Sequence, residues 1–208
     1  MPAIVITARR TTLLLSALLA LGTAAVASDL GLADRWKNPD ADRVGFAKVV
    51  VVGITHDAAA RRQFEDRFVS LLRGRSMQGI TSYTLVPDLA NVPDPQKVVE
   101  TILADGVDGV FTVRFAPIDD KAAGEAWPAA WRAEIDAPGK VRDYVDASIR
   151  RPFVDAKRYG AEIIVWEVAT GRRLWAGRFS PLKRKELQQN ASVMTQEVMS
   201  QLVFEKVF

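Results

Sequence analysis

Four consecutive valines, Val49 to Val52, constrain this chain more than any other feature. They lie inside Phe46-Ala47-Lys48-Val49-Val50-Val51-Val52-Gly53-Ile54-Thr55, a β-branched stretch without polar alternation. Alternation marks a strand with one wet face, so its absence predicts a strand buried on both faces, the habit of central parallel strands. Such a strand needs helices above and below it, which sets the class as α/β.

The residues that follow supply those helices. Asp57 is placed to cap a helix over 58–73, in which Phe64, Phe68, Leu71 and Leu72 form one stripe of a 3.6-residue period, and Gly74 stands just past its end. A second strand is expected over Ile80–Leu85. Asp94 and Pro95 then give an N-cap and first-turn proline for a helix reaching about Ala104. Gly109–Phe115 reads as a third strand. The resulting β-α-β-α-β unit argues for parallel neighbours, with the valine strand central and the 80–85 and 109–115 strands on either side of it.

Residues 116–157 interrupt this order. Their apolar residues show no clean period and stand among Pro117, Pro128, Pro138 and Pro152. The stretch is too long for a plain connection and reads as an excursion with a short helix near Ala129–Ile135 and an extended arm. Beyond it, strands over Tyr159–Val168 and Arg173–Ser180 flank Ala169-Thr170-Gly171-Arg172, where Gly171 suits the left-handed residue of a hairpin loop. Trp166 and Trp175 would meet across that ladder. A helix over about Ala191–Val203 closes a single mixed sheet whose edge the hairpin extends. The organisation is thus a signal at 1–27, a polar leader at 28–45, and one α/β domain at 46–208.

The amino end carries an address. Arg9 and Arg10 precede an apolar run over Thr11–Leu21, and Ala25 and Ala27 occupy the two positions a signal peptidase reads, with Ser28 following. A basic start, a short apolar middle and an A-x-A site predict a cleavable export signal, since the run is shorter than a membrane-spanning helix needs. The Arg9-Arg10 pair leaves general secretion and the twin-arginine route both open. The expected location is the periplasm or the medium.

Charge and cysteine usage exclude several function classes. The chain has 28 Lys and Arg against 25 Asp and Glu. Cleavage takes two arginines and no acid, so the exported part is close to neutral, without the basic footprint of a nucleic-acid binder. No cysteine is present, which removes disulfides, thiolate catalysis, Cys-ligated metals and a lipid anchor on a lipobox cysteine. No cofactor or metal motif is expected, nor a catalytic residue.

Three constellations remain as candidates. Thr55, His56, Asp57 and Ser82 gather near the strand ends, where open α/β sheets bind ligands; the alternative is a polar loop before a helix cap. Asp119, Asp120, Glu162 and Glu167 lack the facing arrangement a glycosidase needs and read as solvated charges. Trp127, Trp131, Tyr144 and Phe153, interleaved with Arg132, Arg142, Arg150 and Arg151, have the composition of a protein interface; the alternative is cover for the open sheet face. The run Lys183-Arg184-Lys185 reads as plain solvation.

Two stretches together carry a family resemblance. One joins Lys48–Thr55 to Arg61-Arg62-Gln63-Phe64-Glu65, Ser82-Tyr83 and Ala104-Asp105-Gly106-Val107-Asp108-Gly109-Val110; the other is Val168-Ala169-Thr170-Gly171-Arg172-Arg173-Leu174-Trp175. They resemble a group of bacterial periplasmic and envelope proteins, often lipoproteins, whose domain looks like the small α/β fold at the amino end of the Tol-system propeller protein. The resemblance covers residues 46–115 and 159–205 and implies no catalytic residue. This chain departs from the group in lacking the lipobox cysteine. The expectation is an exported, non-enzymatic accessory or adaptor domain that binds an envelope protein, with small-ligand binding near His56 and Ser82 as the alternative.

Overall fold

The computed structural model describes residues 30–207, apart from 42–43, 56, 90, 105 and 152–153. Six strands form one mixed sheet: β1 (Leu32–Lys37), β2 (Lys48–Ile54), β3 (Gln78–Thr81), β4 (Gly109–Ile118), β5 (Arg158–Glu167) and β6 (Arg173–Phe179). Their order across the sheet is β1-β6-β5-β4-β2-β3. β2 runs parallel to both β3 and β4, while β4, β5, β6 and β1 are successively antiparallel. The mixed α/β class expected from the valine run is the observed one, with β2 between β3 and β4.

Helices cover both faces. α1 (Ala58–Arg73) and α6 (Arg184–Phe204) lie on one; α3 (Pro95–Ile102), α4 (Lys121–Asp136) and α5 (Val141–Arg150) lie on the other, and α2 (Ser82–Leu85) is a single turn after β3. Alternate valines of β2 point to opposite cores. Val49 and Val51 join Phe64, Phe68 and Met194, whereas Val50 and Val52 join Val99, Ile102 and Trp131. All four valines are fully buried. Asp57 caps α1 by accepting the amides of Ala59 and Ala60, and Asp94 caps α3 in the same way.

Four expectations need correction. The leader contains a strand: β1 pairs with β6, so the hairpin is interior and does not form the edge. β1 looks polar because its charges are matched one by one. A register shift between Leu32 and Asp34 turns Leu32 to the α1–α6 side, while Asp34 meets Arg132 at 2.7 Å and Arg35 meets Glu205 at 2.7 Å.

The second strand ends at Thr81, because Glu65 of α1 captures the next residues. Its carboxylate accepts the Ser82 hydroxyl at 2.7 Å and the Tyr83 amide at 3.0 Å, bending the chain into α2. The excursion is two full helices rather than a short helix and an arm. Trp127, Trp131 and Ile135 recur at four-residue spacing on α4; Val141, Tyr144, Val145, Ser148 and Ile149 form the buried stripe of α5. Pro128 lies inside α4, where a proline costs about 3 kcal/mol or more, and the burial of the two tryptophans beside it outweighs that cost. Trp166 and Trp175, finally, belong to opposite cores and do not meet.

Gly171 has φ of +70°, as the hairpin loop requires. Gly160 serves a different purpose: a Cβ there would lie 2.5 Å from the Trp127 ring, so its absence lets α4 settle on β5. Among the described residues no helix is long and apolar enough to cross a membrane. The export signal, including Ala25, Ala27 and Ser28, lies outside the described residues.

Candidate functional site

Neighbouring strands β2 and β4 point the same way, but the chain leaves them toward opposite faces. From β2 it enters α1 on one side; from β4 it enters α4 and α5 on the other. Diverging exits open a crevice beyond the carboxyl ends, the position at which open α/β sheets hold ligands. A cavity of about 320 Å³ occupies it. Ile54 and Thr55 form the β2 wall, Arg114–Pro117 the β4 wall, and Ser148, Arg151, Val154 and Tyr159 close the rest.

Arg114 is the charged centre of this crevice and is only 6% exposed. It stands opposite Glu162 in the β4–β5 register, with Nε 2.5 Å from Glu162 Oε1, and its Nη2 donates to Glu134 Oε2 at 2.8 Å. Tyr144 of α5 donates its hydroxyl to the same Glu162 Oε1. Burial opposes charge on Arg114, but its acidic neighbours, Glu162 and Glu134 among them, outweigh it and hold the guanidinium above its ordinary value. Burial, with Arg114 opposing and Glu162 adding, pushes the Tyr144 phenol well above its usual range. Tyr144 is therefore a neutral donor at physiological pH. The cluster is still incomplete: Arg114 Nη1 and Glu162 Oε2 are buried without a hydrogen-bond partner among the described residues.

The lining is rich in donors. Thr55 Oγ1 already accepts the Asp57 amide at 3.2 Å and Tyr159 accepts the Ala156 amide at 3.0 Å, so each hydroxyl keeps its proton for another acceptor. Arg151 is 58% exposed at the mouth, with Glu134 3.7 Å away. No carboxylate lines the cavity among the described residues.

The expected site residues are distributed differently from the reading of the sequence. Thr55 lines the crevice, and Asp57 sits beside it as helix cap and as acceptor for Arg184 at 2.9 Å. That ion pair makes Arg184 a tie between α1 and α6 rather than a solvated charge. Ser82 is fully buried between Arg61 and Glu65 and does not line this crevice. His56 and Phe153 lie outside the described residues. Trp127, Trp131 and Tyr144 are 8%, 1% and 8% exposed, so they are cover for the sheet and do not present an interface. The Arg178 guanidinium lies 5.3 and 5.7 Å from the Trp127 and Trp131 rings, and that of Arg114 lies 5.5 Å from the Tyr144 ring.

Glu162, expected to be solvated, is 1% exposed. Sequence reasoning missed Arg114 and Ser148 altogether. The signal was available in the strand: an arginine inside Val113-Arg114-Phe115 demands an acid opposite, and Glu162 occupies the matching place in Ala161-Glu162-Ile163.

No family model and no curated protein matches the sequence. Among solved structures 11 chains match. One is a substituted PelC from Paraburkholderia phytofirmans, crystallised as a dodecamer in space group C2. It is 16% identical, with 80% of this chain and 94% of that chain covered, and a TM-score of 0.42. The PelC dodecamer in space group P6 is 15% identical, with 80% and 93% covered and a TM-score of 0.40. At this distance neither a residue role nor an assembly carries over.

Proposed function

We propose that this chain is an exported, non-enzymatic accessory domain of the cell envelope whose working part is a small-ligand site in the crevice between β2 and β4. One observation carries the reading: Arg114, only 6% exposed and held charged, stands in the wall of a cavity of about 320 Å³ at the carboxyl ends of β2 and β4. A largely apolar cleft of that size with a charged side chain in its wall has the usual form of a small-ligand site. The export half of the reading rests on the amino-terminal pattern. Expression in a bacterial host followed by amino-terminal sequencing of the periplasmic product should give Ser28 as first residue.

The ligand half is tested by thermal denaturation against millimolar organic acids, nucleotides, sugars and amines. A ligand at a hundred times its dissociation constant stabilises by about 2.7 kcal/mol, which is roughly 5–10 °C for a domain of this size. A panel in which nothing raises the midpoint would remove the ligand-site reading and leave the accessory role without a mechanism.

A further inference from the structure

The chemistry of the lining restricts the ligand further, resting on the crevice reading just given. Every polar side chain that faces the cavity can donate: the arginines 114 and 151 and the hydroxyls of Thr55, Ser148 and Tyr159. The carboxylates paired with Arg114, Glu134 and Glu162, do not line the cavity. A lining with two arginines, three hydroxyls and no carboxylate among the described residues selects an acceptor-rich, anionic guest.

Charge balance sets the size of that negative charge. Arg114 and Arg151 are already matched by Glu134 and Glu162 in number. A doubly charged phosphate would therefore face two carboxylates across a partly desolvated cluster, whereas a single charge shared by two guanidinium groups is tolerated. The remaining wall is apolar: Ile54, Phe115, Ala116, Pro117 and Val154. At about 30 Å³ per water-sized group, the cavity holds roughly ten non-hydrogen atoms.

We infer that the crevice binds a small monocarboxylate with an apolar body, its carboxylate bridging Arg114 and Arg151 and its hydrocarbon part lying along Ile54 and Pro117. Arg114 is the buried anchor. Arg151, at the mouth, is the second clamp and the one that can be removed without disturbing the fold.

The test uses the purified, isotope-labelled protein and three probes: phenylacetate, its neutral isostere phenylacetamide, and inorganic phosphate. Backbone amide shifts are followed on titration. Phenylacetate should move the signals of Thr55, Ala116 and Ser148 saturably and bind about tenfold or more tightly than phenylacetamide, the worth of a hydrogen bond to a charged group. Arg151→Gln should weaken phenylacetate severalfold and leave phenylacetamide unchanged. Equal binding of acid and amide at those signals would overturn the carboxylate inference and leave the crevice as a ligand site. Phosphate moving the signals where phenylacetate does not would overturn it in favour of an inorganic anion. Silence from all three would overturn it as well, and the wider thermal panel would then decide the crevice separately.

Discussion

The two faces of the sheet are built on different terms. Under α1 and α6 the contact is made by phenyl and aliphatic groups, with Phe64 edge-on to Phe115 and Phe68 edge-on to Phe111. The buried ions at its margin, Arg61 and Glu65, are saturated: Glu65 accepts from the Gly53 and Tyr83 amides, from Ser82 and from Arg61. Under α4 and α5 the sheet instead presents Arg114, Glu162, Arg173 and Arg178 to aromatic rings. Every buried side-chain polar atom left without a partner among the described residues lies on this second side. A saturated face leaves no buried polar group at a cost. An unsaturated one costs stability, and proteins tolerate that cost mainly where function needs it.

The largest effect that can break this contrast is on the dry face. Val51→Asp puts a charge with no partner into the core, at a cost of several kcal/mol against a typical total of about 5–15. The variant should not fold, and a near-native urea midpoint would contradict the central place of β2. On the α4–α5 face, Trp131→Ala should lose about 3–5 kcal/mol in the same experiment, since Trp131 is core. A loss below about 0.5 kcal/mol would return it to the surface.

Glu162 sharpens the comparison. Glu162→Leu strips Arg114 of its nearest counter-charge and should cost about 3–5 kcal/mol, as should Arg114→Met alone, whereas the two together should cost much less than the sum. Additive losses in that double-mutant cycle would mean that the two charges do not depend on each other.

Asp57 gives a smaller, pH-dependent effect. Burial raises its pKa, but the Ala60 amide, Arg184 and the Ala59 amide outweigh that, leaving the carboxyl below its ordinary value. A depressed carboxyl stabilises the fold above the unfolded-state pKa, and that contribution is lost as pH falls through the folded value. Asp57→Ala should therefore cost about 1 kcal/mol at pH 7, and the gap to the parent should close in acid denaturation below about pH 4. The smallest effect is Arg151→Gln, within about 0.5 kcal/mol of the parent in urea because the side chain is exposed.

The contrast between faces also explains which parts of the fold can be read from the sequence. α1, β2, β4 and the hairpin announce themselves through apolar period and turn residues, because the side chains of the dry face have only one way to be buried. β1, α4 and α5 do not, because their inward positions are filled by half-buried Asp34 and by buried Trp131, Tyr144 and Ser148, which pattern rules count as polar or as scattered aromatics. Pro128 hid α4 by marking a break that tertiary packing overrides. The crevice was visible only as an address at the strand ends. Its residues come from β2, β4, α5 and the start of β5, and Arg114 makes sense only beside Glu162.

One row of residues ties these observations together. Arg114 stands beside Glu162, Glu162 beside Arg178, and Arg178 beside Asp34, so four neighbouring strands carry alternating charges along one line. A slip of any of these strands by one residue would send its charge to the phenyl-lined side, and a slip by two would leave a charge opposite an aliphatic group. The row thus acts as an error check on strand alignment. Its last member, Asp34, comes from the front of the chain and its neighbour Arg178 from the back, so the check is completed only after the intervening sheet has assembled. Long-range closure of this kind is slow, and β1 should be the final strand to protect its amides from exchange during refolding.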